Sequence, residues 1–184
     1  MTSLAGQLLI AMPQMQDHRF VRSVILLCAH NEEGAMGLVV NKLIESPTLP
    51  ELLKQLGIPT TGVSGRMHVH FGGPVETGKG FVLHSADYTE DGTLVVGNNL
   101  ALTTTLDILR AIGSGGGPRR SLLALGYAGW GPGQLDQEMQ ANGWLHAAAD
   151  EAIVFDDDLS DKWQRALGKL GIDPLALSGD AGHA

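Results

Sequence analysis

A chain of 184 residues with 43% hydrophobic and 17% charged side chains is long enough for one well-buried core and too apolar for a disordered polymer. Its formal net charge of −8, with no basic spot denser than the pair Arg119-Arg120, repels a phosphate backbone and disfavours direct DNA binding. The single cysteine, Cys28, excludes an intrachain disulfide, and no apolar run reaches the roughly 18 residues that cross a bilayer, so the expected address is the cytoplasm.

Gly6 to Met12 reads as a short buried strand stopped by Pro13, and Val21 to Ala29 as a longer apolar strand. Asn31-Glu32-Glu33-Gly34 supplies the polar residues and the glycine of a tight connection, and Met36 to Val40 returns as a strand, so a hairpin is expected. Pro50 suits a first helical turn, Leu49, Leu52, Leu53 and Leu56 share one helical face, and Gly57 with Pro59 stops the helix. Met67 to Phe71, Phe81 to His84 and Thr93 to Val96 follow as strands between glycine-containing turns. Leu102, Leu106, Leu109 and Ile112 recur at helical spacing before Gly113-Ser114-Gly115-Gly116-Gly117-Pro118 ends that helix in a mobile loop. Ser121 to Tyr127 is a further strand, Pro132 opens a helix carrying Leu135 and Met139, and Ile153 to Phe155 reads as a strand. A last helix places Leu159, Trp163, Leu167 and Leu170 on one face. Asp156-Asp157-Asp158 stand where it starts and are read as caps rather than as a divalent-cation site. Hairpins and helices mix without regular β-α-β alternation, which makes the fold α+β. One domain over residues 1–176 is expected, with a frayed tail from Leu177 to Ala184.

The run Leu125-Gly126-Tyr127-Ala128-Gly129-Trp130-Gly131-Pro132-Gly133-Gln134-Leu135 sets two large aromatics among four glycines. It is too aromatic for a linker, and it has too many residues without side chains for a core strand, so a backbone bent into a fixed shape between strand and helix is expected. Phe71-Gly72-Gly73-Pro74-Val75 is a second rigid turn of the same kind. Such glycines serve tight turns and close packing, but amides entering a helix can also hold an anion, and Tyr127 and Trp130 can wall a ligand. The ligand-site candidates are therefore Phe71, Gly72, Gly73, Pro74, Tyr127, Gly129, Trp130, Gly131 and Gln134.

Other patterns carry less. Gly73-Pro74-Val75-Glu76-Thr77-Gly78-Lys79-Gly80 comes within one residue of a P-loop, but Gly80 has no hydroxyl for Mg²⁺ and a strand follows instead of a helix. Gly129, Gly131 and Gly133 do not give the dinucleotide spacing, and no acidic residue follows at the end of a second parallel strand. Cys28 stands two residues before His30. In a continuous strand the two share a face with Cα atoms about 6.6 Å apart, a candidate thiol pair set against the plain reading of Cys28 as a buried small hydrophobe. His68 and His70 share a strand face and, with His84 from a neighbouring strand, are candidate metal ligands; nothing in the spacing fixes their convergence, and exposed histidines beside the sheet are the plain reading. No G-x-S-x-G, H-E-x-x-H or C-x-x-C is present, so no conventional enzyme and no cofactor is signalled.

Gly6 to Pro13, Ser23-Val24 through Cys28, His30 to Asn41, Phe71 to Val75, Gly80-Phe81-Val82-Leu83-His84, the Leu125 to Leu135 run, Asn142-Gly143-Trp144-Leu145, and Trp163 with Ala166-Leu167 together resemble the AlgH/YqgE family of bacterial proteins over almost the whole chain. Two positions depart from the family pattern: Lys79 stands where arginine is common and Asp136 where glutamate is common, and lysine offers a point charge in place of a planar fork. The resemblance implies a branched mixed β-sheet curled into a pseudo-barrel flanked by helices. It implies little chemistry, since members are labelled uncharacterised proteins or transcriptional regulators, the latter from effects on exopolysaccharide gene expression. With an acidic chain any such effect is expected to be indirect, through a small ligand or a protein partner. The leading expectation is a cytoplasmic, non-enzymatic regulatory protein that binds a small ligand or anion. The alternatives are a thiol-dependent enzyme or redox sensor using Cys28 with His30, and a factor touching DNA directly.

Overall fold

The computed structural model describes residues 3–62, 68–97 and 99–173. In chain order it contains β1 (Gln7–Ala11), β2 (Val24–Asn31), β3 (Gly34–Val39), β4 (Leu43–Ile44), α1 (Leu49–Gln55), β5 (Val69–Phe71), β6 (Val75–Ser85), β7 (Leu94–Gly97), β8 (Leu100–Thr103), α2 (Leu106–Ser114), β9 (Ser121–Trp130), α3 (Gln134–Gln140), β10 (Trp144–Ala148), α4 (Glu151–Val154) and α5 (Lys162–Gly168). The fold is α+β. Its strands run in the order β10-β1-β2-β3-β9-β6-β8-β7, and β5 with β4 branches from β9. The sheet is mixed because β5 lies parallel to β9 while the other pairs are antiparallel.

Continuous apolar runs in β1 and β2 bury both faces, as strands do when each face is covered. Leu8, Ile10, Val24, Leu26 and Leu38 point into an enclosed core shared with Phe81, Leu83 and Leu122 and sealed by Ile153, Val154, Trp163 and Leu167 from α4 and α5. The alternate residues Leu9, Ile25, Leu27 and Val39 face outward beneath Leu135 of α3. Val69, Val82 and Leu123 face outward in the other half of the sheet beneath α1 and α2. One sheet thus curls round a central core and carries helices on its convex side, the pseudo-barrel implied by the family resemblance.

Local chemistry explains the helix starts. Thr48 caps α1 ahead of Pro50, and Thr105 caps α2, whose other end is closed by Gly115 in the left-handed region. Leu102, assigned above to the helical stripe, lies in β8 instead, because the Thr105 cap starts α2 later. Ile153 to Phe155 is not a strand: Asp150 accepts from the Ile153 amide at 2.8 Å and starts α4. Asp156 to Asp158 do not cap α5, which begins after Asp161. They order the α4–α5 turn, where Asp156 accepts from the Asp158 amide at 2.8 Å and pairs with Arg165. The expected start of the β5 strand at Met67 and the expected frayed tail lie outside the described residues.

The glycine-aromatic run is corrected most. β9 continues through Trp130, so the run stays in the sheet where a bend is expected, with Gly126 its one left-handed residue before Trp130. Gly126 is needed within the strand because another backbone crosses it there, leaving no room for a Cβ, whereas Gly129 faces only the Tyr127 and Val75 side chains.

Candidate functional site

The two glycine-rich segments meet. The Gly72 amide donates to the Leu125 carbonyl at 2.8 Å, and the Gly72 carbonyl accepts from the Val39 amide at 2.8 Å, so this residue ties the end of β3 to the middle of β9. Gly126 holds φ at 77°, and a methyl there would collide with the Gly73 carbonyl, while one on Gly73 would collide with the Tyr127 backbone. Gly72, Gly73 and Gly126 thus form a backbone crossing and offer no side-chain chemistry.

Register decides where the rings go. Ala35 opposes Trp130, Met36 opposes Gly129 and Gly37 opposes Ala128. Trp130 therefore leaves the convex face, in the cluster of Leu27 and Leu135, whereas Tyr127 leaves the enclosed face and meets Phe81 edge-on with centroids 5.8 Å apart. Two hollows result, each about 550 Å³. One, on the convex side, includes Pro74, Gly129, Trp130 and Gln134 with Phe20, Glu138 and Trp144. The other is an open depression with Tyr127, Gly129, Trp130, Met36 and Lys79, where the Lys79 ammonium stands 5.3 Å from the Phe81 ring centre. Phe71 and Gly131 line neither. The Gly131 amide donates to the side chain of Gln134 at 2.9 Å and the Gln134 amide donates back to the Gly131 carbonyl at 3.1 Å, so these two groups close the turn before α3 on each other.

The convex hollow is built round one carboxylate. Glu138, one turn beyond Gln134 on α3, accepts at Oε1 from the indole N–H of Trp130 at 3.1 Å and of Trp144 at 2.9 Å, and at Oε2 from the side-chain Nε2 of Gln134 at 2.9 Å. The indoles cross at 79° with centroids 6.0 Å apart, and Phe20 covers both at 6.5 and 5.8 Å. Both tryptophans are nearly inaccessible, Trp130 at 6% and Trp144 at 2%. Their N–H edges thus hold the carboxylate while their faces are packed. At the rim Asp17 binds Arg19 through two side-chain hydrogen bonds, at 3.0 and 2.7 Å, and this pair holds the Asp17 carboxyl below its ordinary range. Phe20, Glu138 and Trp144 were not among the sequence candidates. Only the Asn142-Gly143-Trp144-Leu145 block hinted at one of them.

The thiol pair is separated by a β-bulge. The β2–β3 register skips Cys28, pairing Leu27 with Gly37 and Ala29 with Met36, so Cys28 joins the enclosed core while His30 turns to the convex face opposite Ala35. The His30 Nδ1 accepts from the Leu4 amide at 3.0 Å, and its Nε2 faces Asp136 at 3.6 Å. Cys28 is buried, which pushes its thiol up to about 12. Of the three histidines, His68 and His70 line one hollow of about 240 Å³, and His84 stands apart from them. His84 is fully buried, contrary to the exposed setting expected, with Nε2 at 2.7 Å from the Thr103 hydroxyl and Nδ1 at 2.8 Å from the Ser85 carbonyl, and burial lowers its pKa. His70 lies on β5, on the far side of β9, and burial lowers it to about 4. Among the described residues no group of three or more His, Cys, Asp or Glu side chains could hold a metal ion.

Another hollow, about 660 Å³, lies beside Arg119, Arg120, Asp156 and Asp157. Two of these four charges are paired within the protein, Arg119 with Glu151 at 2.9 Å and Asp156 with Arg165. Among the described residues no helix is long and apolar enough to cross a membrane.

Residues 8–175 match the family model described as AlgH-like (DUF179). The chain belongs to the AlgH-like family. Among curated AlgH-like relatives, a UPF0301 protein of Afipia carboxidovorans is 58% identical over 191 residues, covering 100% of this chain and 91% of that protein. A UPF0301 protein of Rhodospirillum rubrum is 55% identical over 181 residues, covering 98% of this chain and 94% of that protein. The solution structure of the AlgH protein from Pseudomonas aeruginosa superposes with a TM-score of 0.76 at 41% identity, covering 100% of this chain and 99% of that one. The crystal structure of DIP2367 from Corynebacterium diphtheriae shares the AlgH-like fold with a TM-score of 0.76 at 23% identity, covering 92% of this chain and 88% of that one.

Proposed function

We propose that this AlgH-like protein is a cytoplasmic, non-enzymatic ligand-binding protein, and that any effect on gene expression is indirect, through the ligand or a protein partner. One observation carries the reading: a hollow of about 550 Å³ whose wall fixes a carboxylate by three hydrogen bonds from residues brought together from β9, α3 and β10. A volume of that order suits a small metabolite, and preorganised polar groups in a mostly apolar wall are what small-molecule sites use for orientation. The net charge of −8 supports the indirect route, because a phosphate backbone is repelled. The thiol alternative loses its geometric basis with Cys28 and His30 on opposite faces.

Titrating metabolite mixtures while following the indole N–H resonances of Trp130 and Trp144 tests the reading, since both protons sit in the wall. Saturable shifts that are lost in Val75→Arg, which fills the mouth from an exposed position on β6, are expected. Indole resonances unmoved by every mixture would overturn the proposal.

A further inference from the structure

Glu138 has an unbalanced account. A carboxylate offers roughly four acceptor positions. Three are taken, all by neutral donors: the two indoles at Oε1 and Gln134 at Oε2. Among the described residues no Lys, Arg or His forms a salt bridge with it. The wall therefore presents a carboxylate held by three neutral hydrogen-bond donors, with one acceptor position left on Oε2.

The mouth of the same hollow already holds a cation. Arg19 is exposed, and its guanidinium stands 5.4 Å from the centre of the Phe20 ring. It is kept there by Asp17, two residues before it, and the Arg19 amide also donates to Asp17 at 3.0 Å, so the arrangement is made within one short turn. Glu138 is close enough for its charge to act on Arg19 although the two form no salt bridge, and a planar cation over an aromatic face beside such a carboxylate is a recognised way of binding guanidinium and ammonium groups.

We infer that the ligand is a compact organic cation, carrying a guanidinium or primary ammonium group that displaces Arg19 from the Phe20 face and donates to the open position on Glu138. This rests on the ligand-binding reading and names the ligand class of that site. Anions are selected against, because Glu138 and Asp17 both line the hollow and Arg19, the one cation among its described lining residues, is already bound to Asp17. Arg19 then acts as an internal competitor that sets affinity, since displacing it costs its two hydrogen bonds to Asp17.

The experiment uses the full chain and four probes: agmatine for the guanidinium, n-butylammonium, the neutral n-butylurea and the anion butyrate, each titrated while the Trp130 and Trp144 indole N–H resonances are recorded. Agmatine and n-butylammonium are expected to move both resonances saturably, and binding should weaken with added salt. Arg19→Gln, a rim substitution that leaves the core untouched, should tighten agmatine binding at least threefold. Glu138→Gln should weaken it at least tenfold, with its amide spectrum confirming the fold. Butylurea or butyrate binding as well as the cations would overturn the inference while leaving the ligand-binding reading standing, as would unchanged affinity in Arg19→Gln. Failure of all four probes overturns the inference as well, and the ligand-binding reading falls with it only if the metabolite mixtures also leave both indoles unmoved.

Discussion

Lys162 is the most informative residue to perturb. Its side chain is wholly inaccessible, and its Nζ donates to the Val40 carbonyl at 2.9 Å and the Val154 carbonyl at 2.8 Å, which ties α5 to the end of β3 and to α4. Burial lowers its pKa from 10.5 to about 8, against a smaller opposing pull from Asp157. At about 1.4 kcal/mol for each tenfold step in proton affinity, holding the charge inside costs about 3 kcal/mol relative to the unfolded chain. Above pH 8 the folded protein releases the proton, while the unfolded chain keeps it until about 10.5. Over that window the unfolded state binds more protons, so this residue's contribution to stability rises with pH. The neutral amine keeps two N–H groups for the same carbonyls. Lys162→Met removes both the charge and the donors. Near neutral pH relief from the buried charge offsets part of the loss of two buried hydrogen bonds, at about 1–3 kcal/mol each. At pH 10 nothing offsets it. Urea unfolding of both proteins at pH 7.5 and 10 should therefore show the variant falling further behind at the higher pH by about 2 kcal/mol. Taking the difference between the two proteins removes the other titrating groups. A gap that stays constant, or narrows, would refute the buried-charge account.

Three further outcomes follow from the packing. Gly126→Ala should destabilise the fold by more than about 2 kcal/mol in thermal or urea unfolding, because φ is 77° and the new methyl meets the Gly73 carbonyl; a neutral effect would mean that the crossing can open. His70 is lowered from 6.5 to about 4 by burial, so as pH falls below about 6.5 the unfolded chain gains a proton that the folded one refuses, and this residue alone lowers stability by about 3 kcal/mol by pH 4. His70→Leu should flatten that acid limb, and an unchanged limb would exclude His70 as a cause. Cys28 should resist iodoacetamide at pH 8 until urea is added, and labelling of the native protein at the rate of a free thiol would contradict its burial.

The parts of the fold written in local pattern were legible from the sequence. The unbroken apolar run of β2, the Asn31 to Gly34 connection and the leucine face of α1 stand where composition places them. Leu102 was misplaced because its spacing to Leu106 and Leu109 fits a helix as well as a strand end, and only the Thr105 hydrogen bond to the Ile108 amide marks the boundary. The bulge at Cys28 has no glycine or proline to announce it, yet that one extra residue moves His30 to the other face of the sheet. The candidate site was half legible. Trp130 and Gln134 were found from their unusual neighbourhood, while Glu138 reads as an ordinary polar position on a short helix. Its role appears only when β10 brings Trp144 alongside Trp130, a contact between residues whose partnership no local pattern encodes.

Because β9 pairs with β3, β5 and β6, it is the seam on which both halves of the molecule hang. Cutting or lengthening the chain there would unzip the two sides together, so a reporter fusion, a split-protein break or a circular permutation belongs elsewhere. The exposed tips at Glu32-Glu33 and Asp91-Gly92 are turns outside the strands and helices, and they are where this scaffold should accept inserted sequence without losing its shape.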